Sequence, residues 1–170
     1  MKRTIGALVF LLCLTAGVAP QGATPRSSPD QRVKAALDQI GYKYELTADG
    51  DYKLAPLPTE GGRTQLVYVN SNTERFGTLE IREVLSPSFL SDGPLTADLA
   101  NSLLRQNHQV KLGAWRVIPI TQGSNSGKQL VMFAAQVAGN SDAEALRMTI
   151  RSVLLVADRM EKEVTGRDDY

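Results

Sequence analysis

One long, one-sided helix near the end of the sequence constrains the fold more than any other feature. After Ser141, the residues Leu146, Ile150, Val153, Ala157 and Met160 fall on a single apolar stripe at helical spacing. Ser141 and Glu144 form a capping box at its start. Such a helix must bury its stripe on a matching apolar surface. Two shorter helices are predicted upstream. The first opens at Ser28-Pro29, with Ser28 as cap and Gln31 completing a capping box; it carries Val33, Leu37 and Ile40, and stops at Gly41. The second covers Thr96 to Asn107, with Leu99, Leu103 and Leu104 as its apolar side. The first helix is also one-sided, so both it and the last should lie on a sheet.

The strands are grouped between these helices. Tyr42, Tyr44 and Leu46 alternate with Lys43 and Glu45, Ala48-Asp49-Gly50 turns the chain, and Tyr52 and Leu54 alternate on the return. Asp-Gly suits a tight turn because such turns need positive φ. Thr64 to Val69 is apolar on nearly both faces and reads as a central strand; Ser71 to Gly77 reads as a polar loop. Thr78 to Leu85 follows as a strand, with Leu79 and Ile81 inward and Glu80 and Arg82 outward. Pro87 and Pro94 bracket an irregular connection to the second helix. Two further strands, Val110 to Ile120 and Gln129 to Val137, flank the hairpin loop Gln122 to Gly127. The expected order is α-β-β-β-β-α-β-β-α. Grouping of this kind argues for an α+β fold on an antiparallel sheet.

The opening of the chain carries a different message. Lys2-Arg3, the apolar run Ile5 to Leu14 and the small residues Thr15, Ala16, Gly17 and Ala19 follow the order of a secretory signal. The expected organisation is a signal peptide over residues 1–23, cleaved near Gly17–Ala23, a linker over 24–29, a domain over 30–162 and a flexible tail over 163–170. A retained anchor is disfavoured, since the apolar run falls short of the roughly 20 residues a spanning helix needs. Cys13 is the only cysteine and sits in the leader behind the bulky Phe10, Leu11 and Leu12, unlike a lipidation site. The exported chain would therefore hold no disulfide and no thiol nucleophile, and its compartment would be periplasmic or extracellular.

Charge and chemistry narrow the function further. Without Lys2 and Arg3, 17 of the 19 basic residues remain against 18 acidic ones. A near-neutral domain has no electrostatic case for nucleic acid. His108 is the only histidine, and no serine lies in a nucleophile elbow. Zinc lacks its usual ligands, Asp49-Gly50-Asp51 is better explained by the hairpin turn than by calcium, and Gly123 to Lys128 departs from a phosphate loop in spacing. No catalytic, metal or cofactor residue is assigned. Trp115, Arg147, Arg151, Leu155 and Val156 are the interaction candidates: Trp is enriched at interface hot spots, although packing across the sheet into a helix is its commoner fate; Arg147 and Arg151 share a helix face, which is more often simply solvated, and Leu155 and Val156 lie outside the main apolar stripe. Gln65 to Val69 and Leu130 to Val137 are apolar on both sides of their strands, so three helices should leave an apolar face over for a second copy or a partner.

Several turns and core positions carry a resemblance. Leu37, Ile40-Gly41-Tyr42 and Tyr44 lead to Asp49-Gly50-Asp51-Tyr52, Leu103-Leu104 and Asn107 close the second helix, and Leu112-Gly113-Ala114-Trp115 and Val156-Ala157-Asp158 follow. This pattern, spanning about residues 30–162, resembles the YbjN-type domain, a family described as sensory transduction regulators. The resemblance implies a fold similar to type III secretion chaperones: a curved antiparallel sheet with helices against it, commonly dimeric and binding proteins. The expectation is an exported, non-enzymatic protein-interaction module, chaperone-like or regulatory, with a protein partner or a second copy. The alternative is a small-ligand-binding or envelope-maintenance protein with a pocket between sheet and helices.

Overall fold

The computed structural model describes residues 28–170; the expected signal peptide and residues 24–27 of the expected linker lie outside the described residues. Helix α1 (Gln31–Ile40) is capped by Asp30, whose carboxylate accepts the Arg32 N–H at 2.8 Å. Ser28 was expected in that role. Asp30 takes it because its second oxygen is also held by the Arg82 guanidinium, which pins the start of the helix. Gly41 ends α1 in the left-handed conformation (φ 84°), as its position predicts.

Strands β1 (Tyr44–Leu46) and β2 (Tyr52–Leu54) form the expected hairpin. The next segment departs from expectation. Instead of one strand over Thr64 to Val69, two short strands, β3 (Leu57–Pro58) and β4 (Thr64–Gln65), pair around a 3₁₀ turn. The main sheet is then rejoined by β5 (Tyr68–Phe76) and β6 (Leu79–Ser91). The polar run Ser71 to Phe76 is therefore strand rather than loop, and only Gly77 lies in the turn to β6. Its polarity reflects local partners: Ser71 Oγ donates to Gly50 O at 2.6 Å, and the Ser71 N–H donates to Asp51 Oδ1 at 2.7 Å. Pro87 does not end β6. It sits where the register with the neighbouring strand shifts between Pro87 and Phe89, an irregularity that accommodates its missing N–H.

Helix α2 (Ala97–Gln109), β7 (Ala114–Pro119), β8 (Gln129–Ala138) and α3 (Ala143–Thr165) complete the fold. Gly113, at φ 95°, opens β7 where a Cβ would meet the Phe133 ring at 2.6 Å and Ala134 O at 2.7 Å, so the position has room only for glycine. The result is an α+β domain with a six-stranded sheet, order β1-β2-β5-β6-β8-β7, antiparallel at every pairing. No described helix is long and apolar enough to cross a membrane.

The core lies between the sheet and the helices. Leu146, Ile150, Val153, Ala157 and Met160 of α3 are all buried, as their spacing requires. They join Val33 and Leu37 of α1 and Val69, Val84, Val131, Phe133 and Ala135 of the sheet in one cluster. Each large apolar side chain buried there contributes roughly 1.5–3 kcal/mol. Helix α2 adds little, since only Leu103 is buried and Leu104, expected inward, is 64% exposed.

Candidate functional site

The functional question turns on the phase of β6. Arg82, expected to point to solvent, is 2% exposed and points under the helices with Val84 and Ser86. Leu79 and Ile81, expected in the core, go to the opposite face with Leu85. Alternation has period two, so moving one residue moves all of them. Arg82 is accommodated because Asp30 accepts from it at 2.5 Å and the carbonyls of Asn70, Ser71 and Gly139 take its remaining donors. Arg32 binds both Asp30 and Glu80, so two cations meet two carboxylates. The Arg32 hydrogen bond is the main cause holding Glu80 down to about 2 and Asp30 well below the usual carboxylate range.

The inverted phase leaves the far face of the sheet apolar. Tyr68 opposes Leu85, Leu85 opposes Ala134, Pro87 opposes Met132, and Leu90 and Ile118 both oppose Leu130. Residues directly opposite in a ladder share a face, and none of these belongs to the core cluster under the helices. Ile118 is 43% exposed. Arg116 and Glu83 pair there at 2.5 Å, with Gln136 donating to the same carboxylate, so the charges on this face cancel locally. A hollow of about 320 Å³ lies over Tyr68, Leu85, Leu90, Leu130 and Met132, with Tyr170 at its margin.

Tyr170 reaches that margin because the segment read as a tail is tied down. Helix α3 continues to Thr165, and Gly166 (φ 65°) turns the chain back. Asp169 N–H then donates to Glu161 Oε1 at 2.6 Å, and Arg63 donates to Arg167 O at 2.6 Å. Asp158, Glu161 and Asp168 converge closely enough to hold a metal ion, but Arg63 already occupies the centre of the group. Its Nε lies 2.6 Å from Asp158, and its Nη2 lies 3.1 Å from Glu161 and 3.9 Å from Asp168. One cation against three carboxylates leaves Glu161, which is fully buried, raised above its ordinary pKa by desolvation.

The sheet edges are guarded. By antiparallel alternation, with Ile120 N–H donating to Lys128 O at 2.8 Å, the outward positions of β7 are Trp115, Val117 and Pro119. The Trp115 N–H is taken by Asn107 Oδ1 at 2.7 Å, and Pro119 has none, so Val117 is the one outward donor of the strand. The other edge, β1, is three residues long. Neither edge offers much to an incoming strand.

The five candidates do not form one site. Trp115 is in the core, edge-to-face on Phe133 with centroids 5.2 Å apart, its Nε1 donating to Gln106 Oε1 at 3.0 Å. Arg147 is neutralised by Glu144 at 2.6 Å. Arg151 and Leu155 meet over a cleft beside β3, while Val156 faces another cleft toward α2. His108 is exposed on α2 in a patch with Asn101, Leu104, Arg105 and Gln109, which supplies neither a carboxylate nor a hydroxyl. The loop Gly123 to Lys128 is a hairpin turn, closed by Gly127 N–H donating to Ile120 O at 2.8 Å.

The apolar residues of Leu130 to Val137 on both sides of their strand point to a face left over by the helices; what differs from expectation is the phase of β6, which adds Leu85 to that face and Arg82 to the core. The signal available was Leu79, Ile81 and Leu85 on one side of the strand, interrupted there by Glu83, against Arg82 and Val84 on the other. Comparison of the chain with family models, curated proteins and solved structures gives no match.

Proposed function

We propose that this domain is a non-enzymatic protein-interaction module that works through the open face of its sheet, and that the partner on that face is a second copy of the chain. The observation that carries the reading is the apolar surface formed by Tyr68, Leu85, Leu90, Leu130 and Ile118, half-buried or exposed around the buried Pro87, Met132 and Ala134, none of which belongs to the core cluster under the helices. Apolar patches of this kind mark interaction sites. A two-fold contact needs a self-complementary surface. A face whose Arg116 and Glu83 already neutralise each other brings no net charge against its own copy. Guarded edges direct association to the face rather than to strand addition.

The leader supports placing this module in the periplasm or outside the cell. The resemblance to YbjN-type domains, carried by turn and core positions, supports a chaperone-like or regulatory role. Light scattering of the purified protein over a dilution series tests the reading. A mass of twice the monomer that falls on dilution is expected, and Ile118→Lys should keep the protein monomeric at every concentration. A wild-type protein that stays monomeric throughout would refute the second copy as partner.

A further inference from the structure

A second surface, on the helix side of the sheet and independent of the open face, has the chemistry of a ligand site. Between α3 and the β3 turn lies a cleft of about 330 Å³. Its floor is Ile150, fully buried, and Leu154, 5% exposed. Its walls are Leu57, Pro58, Leu155 and the ring of Tyr42. The floor residues stand one helical turn apart on α3, so the apolar part is short. Its size is at the small end of ligand pockets, about 300–1,000 Å³.

The polar group at its rim is Arg151. Most arginines near this fold's carboxylates are satisfied: Arg32, Arg63, Arg82, Arg116, Arg147 and Arg167 each hold a carboxylate within 2.9 Å. Arg151 is exposed and has no ion pair or hydrogen bond among the described residues. Glu144 and Asp158, seven residues before and after it along α3, are already taken by Arg147 and Arg63. A planar guanidinium with open donors above an apolar floor matches a carboxylate attached to a short hydrocarbon. Glu60, exposed on the opposite rim, is the one group that would favour an amine instead.

We infer that this cleft binds a small amphipathic carboxylate, its hydrocarbon on Ile150, Leu154, Leu155 and Leu57 and its carboxylate on Arg151. The ligand class is a free medium-chain acid rather than a peptide, because the apolar floor is only one helical turn long.

Titration of the purified protein with octanoate, octanol and octylamine, followed by amide NMR shifts, tests the inference. Octanoate should give saturable shifts at Leu57 to Glu60 and Arg151 to Leu155. Losing a charge-assisted hydrogen bond should weaken binding by about tenfold or more, so octanol, and octanoate with Arg151→Gln, should bind at least that much more weakly. Equal binding of the three probes, preference for octylamine, indifference to Arg151→Gln, or shifts confined to Leu85 and Leu130 to Met132 would each overturn it. The readout is local to the cleft, so a failure of the open-face reading leaves this result intact and the reverse also holds.

Discussion

The two faces of the sheet are built from alternate residues of the same strands, yet they end in different environments. On one, Val69, Val84, Phe133 and Ala135 are closed over by α1 and α3, and even a guanidinium is drawn inside. On the other, Leu85, Leu90, Leu130 and Ile118 meet no helix among the described residues. Apolar content alone does not separate them. What separates them is that the covered face also carries Arg82, whose burial requires the start of α1, since Asp30 is both the helix cap and the carboxylate on Arg82. A buried ion pair thus ties the start of α1 to this face, and the other apolar face carries no part of the core cluster.

The largest expected effects lie on the covered face. Phe133→Ala should cost about 3–5 kcal/mol in denaturant unfolding, because it removes a fully buried ring and leaves a cavity beside Trp115. Arg82→Met should cost about 3 kcal/mol, since it leaves the carbonyls of Asn70 and Ser71 without their donor. Ile118→Lys, on the open face, should change the stability of the monomer by no more than about 0.5 kcal/mol while removing self-association. A loss comparable to Phe133→Ala would mean that the open face is core, and the contrast between the faces would collapse.

A smaller effect sharpens the same contrast through pH. Asp30 and Glu80 titrate below their ordinary values in the folded state, so their contribution is present above the ordinary carboxylate range. For Glu80 it is lost as pH falls from 4.5 toward about 2. Glu161 has the opposite sign. Its folded pKa is raised, so its ionised form is penalised, and that penalty is relieved as pH falls toward 4.5 from above. Glu161→Gln should therefore gain less stability, or lose more, than the wild type between neutral pH and about pH 5, measured by urea unfolding at each pH. An identical pH dependence in both proteins would show that Glu161 is not penalised.

Much of the fold was legible because local rules wrote it. The α3 stripe, the Gly41 stop, the Asp49-Gly50 hairpin and the Gly123 to Gly127 loop each follow from residues close in sequence. The candidate site was legible only in part: Leu130 to Val137 is apolar on both sides and so leaves a face over, but the share of β6 in it was not readable, for a specific reason. Alternation along β6 has a period but its phase depends on which residue tolerates burial, and Arg82 tolerates it through Asp30, 52 residues earlier, and through carbonyls of Asn70, Ser71 and Gly139. Ser71 looked like loop for the same reason: its partners, Gly50 and Asp51, lie in another hairpin. The last residues looked frayed because Glu161, Arg63 and Asp169 come together only once α3 and β4 are in place. Trp115 follows the commoner fate of its type: its indole packs inward on Phe133 and donates to Gln106 of α2.

The open face can be probed directly, because Cys13 is the one native cysteine and residues 28–170 have none. Ile118→Cys places a thiol on the open face, and Met148→Cys places one on the outside of α3, at sites 43% and 50% exposed in the single chain. Alkylation rates measured from dilute to concentrated protein compare the two surfaces in the same molecule. The account predicts that the thiol at 118 is protected as concentration rises and becomes reactive on dilution, while the thiol at 148 reacts at the same rate throughout. A thiol at 118 that reacts equally fast at every concentration would contradict the claim that a second copy covers this face.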